Sequence, residues 1–143
     1  MRYFDSGVLL KLYFLEPNSS VANRLSSEVF GPVLLTRLHR AEVHSALRLK
    51  LGRGEISVDD CDSALSAFQE DQNTGWYSII EPDWTKVFDR GEQLSASHTS
   101  ATLCRTLDTL HVAIALELGA TEFCTFDKRQ AAMARLVGLN VVP

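Results

Sequence analysis

The sequence predicts an α/β protein in which four to five short parallel strands form a central sheet covered by helices. Two observations carry that reading. Short apolar runs of strand type alternate with longer segments of helical periodicity along the 143 residues, and such alternation builds βαβ units with a parallel sheet. The pattern is clearest at the end, where "TLDTLHVAIALELGA", "EFCTF", "DKRQAAMARLVG" and "NVV" read as helix, strand, helix and strand.

In chain order, residues 2–5 form a first strand, and "SGVLLKLYFL" a helix ended by Glu16-Pro17. The Asn18-Ser19-Ser20 cap signal starts a second helix that stops before Gly31-Pro32. "VLLT" is a strand, and residues 38–51 a helix closed by Gly52 beyond its C-cap. Ser57, with Asp60 three residues on, caps the next helix. "WYSII" is β-rich, and Asp83 begins a helix of four turns or more. Gly119 stops the apolar helix of the last third. Repeats and linkers are absent, so 1–143 reads as one domain, a size that buries a genuine core.

Hydrophobic residues make up 45% and charged residues 22%, the balance of a soluble globular protein. The first apolar run is broken by Asp5 and Lys11 and does not read as a signal peptide, and none approaches the roughly 20 residues of a membrane span. Three cysteines, Cys61, Cys104 and Cys124, lack CxxC spacing and read as buried thiols of a cytoplasmic protein. A net charge of −4 argues against nucleic-acid binding by bulk positive charge, unless a metal site consumes several acids.

The acids are the informative residues. Asp5 and Asp127 each end a strand before a helix, and ligand sites of parallel sheets form beyond the carboxyl ends of strands. Asp127 with Gln130 also fits a capping box. Asp108 sits in the first turn of the apolar helix, behind Thr106 as cap, where a charge also suits the helix dipole. Glu42 shares a helix face with Leu38, Ala46 and Leu49, with no Lys or Arg three or four residues away. A carboxylate in an apolar row must be paired, protonated or metal-bound. Four oxygen-only side chains suit a hard cation, Mg2+ or Mn2+. Asp5, Asp108, Asp127 and Glu42 are therefore both the metal-ligand and the catalytic candidates, with Glu42 a ligand or the residue that orients water.

At these residues the sequence resembles the PIN-domain ribonucleases, and specifically the VapC-type toxins of toxin–antitoxin modules. The segments that carry the resemblance are "YFDSGVLLKLY", "RAEVHSALRLKLGRGEI" and "RTLDTLHVAIALELGATEFCTFDKRQAAMARLVGLNVV". The resemblance implies a three-layer α/β/α fold, metal-dependent endoribonuclease activity, an RNA substrate and a cognate small antitoxin. It maps the family's acidic set onto the same four residues. One departure is Gly7, where the family has Ser, Thr or Asn; Ser6 stands beside it.

Lys128 and Arg129 are placed to meet a phosphate backbone. Arg40 and Arg48 face away from Glu42, toward a partner or solvent, and His111 reads as a core histidine. Apolar residues on the first helices (Leu9, Leu12, Tyr13, Leu15) suggest an interface, hence a homodimer and an antitoxin peptide near the acids. A catalytically silent binding module remains open. A phosphoryl receiver fits less well, because Asp5 is solitary and the late strand ends in Asp127 rather than lysine.

Overall fold

The structure is a computed structural model describing residues 1–143. Its contacts separate into two compact units: Met1–Asp5 with Glu81–Pro143, and Ser6–Ile80.

In the first unit, β1 (Arg2–Phe4), β4 (Glu122–Cys124) and β5 (Asn140–Val142) form a parallel sheet in the order β1-β4-β5. Phe4 aligns with Cys124, and Cys124 with Val142. The two strands that precede Asp5 and Asp127 are thus neighbours, as the sequence predicts.

The helices of this unit are α5 (Trp84–Leu94), α7 (Thr106–Glu117) and α8 (Lys128–Leu136), with α5 continued by a π-helical turn (Ser95–Thr99) and a short α6 (Ser100–Thr102). Asp83 caps α5, accepting from the Lys86 N–H. Residues Thr109 to Ala115 of α7 are all buried, as a helix apolar on every side requires. Gly91 of α5 faces Leu110 of α7 so closely that a Cβ at Gly91 would stand 2.9 Å from Leu110 Cδ2. Gly119 ends α7 at φ +72, a left-handed conformation that glycine adopts without steric cost. The N-cap of α7 is Arg105, not Thr106, which is the first helical residue.

In the second unit, β2 (Val33–Leu35) and β3 (Tyr77–Ile79) pair in parallel, accompanied by α1 (Ser6–Leu10), α2 (Ser19–Ser27), α3 (Arg37–Gly52) and α4 (Val58–Asn73). The five expected strands are all present and all parallel, divided three and two between two sheets.

The first helix is half its predicted length. Beyond Leu10 the backbone tightens, with the N–H groups of Lys11, Leu12 and Tyr13 bonding to Val8, Leu9 and Leu10 three residues back. Tyr13 Oη donates to Asp71 and lies 3.0 Å from Tyr77 Oη. Burial above all, with the charge of Asp71 adding to it, pushes both phenols above their ordinary range, while the Tyr13 hydrogen bond opposes the shift at Tyr77. Asn18 stands at the N-cap of α2 in a left-handed conformation (φ 72) without a side-chain cap bond. The Ser57–Asp60 capping box of α4 forms as predicted.

On α3 the buried stripe is His39, Val43 and Leu47. The row containing Glu42 runs along its border, with Leu49 exposed. Leu9 is fully buried, so the apolar excess expected on the first helices narrows to Leu15, 88% exposed. Phe30, fully exposed, adds to it. No helix is long and apolar enough to cross a membrane.

Candidate active site

Beyond the carboxyl ends of β1 and β4, three of the four candidate acids are joined by a hydrogen-bonded relay. Parallel pairing continues one residue past β1, where the Asp5 N–H donates to the Cys124 carbonyl at 3.0 Å. That register sets Asp5, which is buried, against Thr125. The Thr125 hydroxyl donates to Asp5 Oδ2 at 2.7 Å and accepts from the Asp127 N–H at 3.0 Å. One buried hydroxyl therefore holds the Asp5 carboxylate and the Asp127 backbone.

Asp127 is the N-cap of α8. Its Oδ1 accepts from the N–H groups of Arg129 at 2.7 Å and Gln130 at 3.0 Å. The predicted capping box forms only in its first half. Gln130 does not turn its amide back on Asp127; it donates from Nε2 to the Asp108 carbonyl at 3.2 Å. This bond spans from α8 to the first turn of α7, so Gln130 ties Asp127 to Asp108. Gln130 is almost wholly buried.

Asp108 is partly exposed, with Arg105 Nε 3.7 Å from its Oδ2. That pair is largely in solvent, where such contacts contribute little. The thiol of Cys104 reports the local field. Burial raises its pKa above the ordinary value, and the charges of Asp108 and Asp127 raise it further, against the Thr109 hydrogen bond. Negative charge from two candidate acids thus converges on one buried sulfur. An open cavity of about 500 Å³ lies between α5 and the start of α7, lined by Phe88, Cys104, Arg105, Thr106, Thr109 and Leu110; none of the four candidate acids lines it.

The donor chemistry fits a hard cation. Carboxylates and one hydroxyl are at hand, the cysteine is held as a neutral thiol, and the nearby histidine is engaged elsewhere: His111 Nδ1 pairs with Tyr3 Oη at 2.8 Å. His111 is thus the core histidine that the sequence suggests. As placed, no group of three or more His, Cys, Asp or Glu side chains is arranged to hold a metal ion.

Glu42 belongs to the second unit, where it is half-buried and accepts from Ser6 Oγ at 2.6 Å. Ser6 begins α1 and Gly7 follows it, so the serine beside the departure from the family pattern holds an acid of the set. Lys128 and Arg129 are exposed in the first turn of α8. Sequence reasoning missed the role of Thr125 and read Gln130 as a cap alone.

A family model described as PIN domain matches residues 2–136. A search of curated protein sequences gives no significant match. Among solved structures, the chain is similar in fold to VapC20 of Mycobacterium tuberculosis, described as a sarcin–ricin loop cleaving toxin. The TM-score is 0.69 at 14% identity, over 92% of this chain and 94% of that one. It is also similar to FitAcB from Neisseria gonorrhoeae, with a TM-score of 0.65 at 17% identity over 100% and 97% of the two chains.

Proposed function

From the premise that this chain belongs to the PIN domain family, we propose that it is a metal-dependent endoribonuclease of the VapC type, the toxin of a toxin–antitoxin pair. The observation that supports this most is the relay Asp5–Thr125–Asp127–Gln130–Asp108 beyond the ends of β1 and β4. A structural cap needs one acid. A buried threonine that holds the Asp5 carboxylate and the Asp127 backbone, and a buried glutamine that ties the Asp108 backbone to α8, suit a site built for charge.

Asp5, Asp108 and Asp127 would hold Mg2+ or Mn2+, and Glu42 joins the set through the sequence resemblance. When bound, the cation would polarise the phosphate, lower the pKa of a water and stabilise the leaving oxygen. The chain's own part is to hold the carboxylates in fixed orientation. Thr125 directs one oxygen of Asp5, and the α8 N–H groups engage Oδ1 of Asp127. Ser6 orients Glu42, and Lys128 and Arg129 place cations next to Asp127 for the RNA backbone.

Incubating the protein with a mixed-sequence RNA and Mg2+ or Mn2+ is expected to yield internal cuts that stop on chelation. Undiminished cleavage in excess EDTA rules the reading out. A silent binding module would bind RNA or protein and cut nothing under either condition.

The same reading gives the protein a cognate antitoxin and a second copy of itself. Leu15 and Phe30 of the second unit are exposed and open to contact with either. Light scattering at high protein concentration should return the dimer mass; a strict monomer removes that part of the proposal.

A further inference from the structure

Most cations near a carboxylate in this chain are paired. Arg2 holds Glu122, Arg90 holds Glu117, and Lys11 and Lys50 share Glu16. Lys128 and Arg135 of α8 make no ion pair. They stand seven residues apart on one helix face, about 10 Å along the axis, with Ala131 between them. Lys128 is also electrostatically misplaced as helix design, because a cation in the first turn opposes the macrodipole.

These residues line a groove of about 400 Å³ together with Phe126, Asp127 and Pro143. That volume falls within the roughly 300–1,000 Å³ of small-molecule sites. Ala131 and Pro143 give the groove small apolar lining and Phe126 an aromatic one, and Lys128 and Arg135, which make no ion pair, flank Ala131 along α8. The candidate metal ligand Asp127 forms part of the rim.

We propose that this groove is a nucleotide subsite, which seats the stretch of RNA strand beside the scissile phosphate. Lys128 and Arg135 hold successive phosphates, and Phe126 offers a ring face to the base between them. This rests on the ribonuclease reading above. Guanidinium and ammonium groups recognise phosphate oxygens through charge-assisted hydrogen bonds, and aromatic faces stack single-stranded bases without regard to sequence. An acidic protein fits the groove less well, because the cores of protein interfaces are poor in charge and two cations line this groove. The groove separates Lys128 from Arg129: Lys128 lines it and Arg129 does not.

The test is fluorescence polarisation with a labelled single-stranded RNA in EDTA, the RNA shown intact on a gel afterwards. Lys128→Ala and Arg135→Ala are each expected to weaken binding by about five- to tenfold at low salt. Together they should lower the slope of log affinity against log salt by about 1.4, from about 0.7 for each lost phosphate contact. Lys86→Ala, which removes the same charge from α5, should leave the affinity within about twofold. Phe126→Leu should cost about tenfold with the normal strand and little with an abasic one.

If the parent cleaves RNA and the Lys128 and Arg135 variants bind as the parent does, the subsite is wrong and the ribonuclease reading stands. A parent that neither cleaves nor binds RNA overturns both. Displacement of the RNA by polyglutamate at equal charge concentration overturns the RNA assignment in favour of an acidic protein.

Discussion

Asp5→Asn and Asp108→Asn are each expected to lower RNA cleavage by at least about a hundredfold while leaving the metal-free protein as stable as the parent, or more so. The size of the loss follows from weakening the hold on the cation that balances the phosphate charge; losing one preorganised group of a charge-stabilising site costs about 10²–10³. The stability follows from charge balance. In the absence of a cation, like charges at the ends of β1 and β4 and at the start of α7 are left uncompensated by metal; the field of two of them, Asp108 and Asp127, is felt at Cys104. Asparagine keeps the shape and removes one of these charges. At Asp108 it also forfeits a favourable dipole contact worth about 0.3–1 kcal/mol, which limits the gain there.

Added Mn2+ should separate the proteins. The parent gains about 2.7 kcal/mol at a hundred times its dissociation constant, and the variants much less. Asp127→Asn is the companion variant, because an asparagine oxygen can still accept from the Arg129 and Gln130 N–H groups. Thermal melts in EDTA and in Mn2+ are the measurement. If both Asp5→Asn and Asp108→Asn melt well below the parent in EDTA, the two acids are structural partners of neighbouring donors, and the metal-site reading is wrong.

Local pattern carried much of the fold. Each strand is a short apolar run with a turn signal at its end, and these positions depend on neighbours within a few residues. The same holds for Gly119 after α7 and for the Ser57–Asp60 box. What local pattern misplaced depends on distant partners. The first helix stops at Leu10, and Tyr13 beyond it engages Asp71, fifty-eight residues away. The stripe on α3 is shifted by one residue because burial there is set by the packing of α3 on its neighbours, not by its own periodicity. The placement of the three aspartates was legible because strand ends and helix starts are local features. Their linkage was not. Thr125 meets Asp5 through the β1–β4 register, and Gln130 meets Asp108 through the packing of α8 on α7. The sequence hint to the first is "TFD", a hydroxyl two residues before an acid that it can engage through the backbone.

Thr125→Val is the substitution that tests this linkage, and it is expected to weaken both the fold and the site. Valine has nearly the volume of threonine and favours strands, so the backbone and packing at this buried position are kept. What is lost is one oxygen with two bonds. Asp5 loses a donor to its buried Oδ2, and the Asp127 N–H loses its acceptor. Leaving buried polar groups without partners costs about 1–3 kcal/mol, which urea unfolding of the metal-free protein would resolve. Cleavage should fall by about tenfold or more, since misplacement of a catalytic group by an ångström is costly. Thr125→Ser, which keeps the hydroxyl, should restore most of both. The diagnostic measurement is the double variant Thr125→Val with Asp5→Asn. Where two residues share one hydrogen bond, their effects couple by about 0.5–3 kcal/mol. The double variant should therefore be less destabilised than the sum of the single ones, because an asparagine at position 5 no longer presents a buried charge that lacks its donor. Strict additivity, or a Thr125→Val protein as stable and active as the parent, would show that the hydroxyl does not orient Asp5.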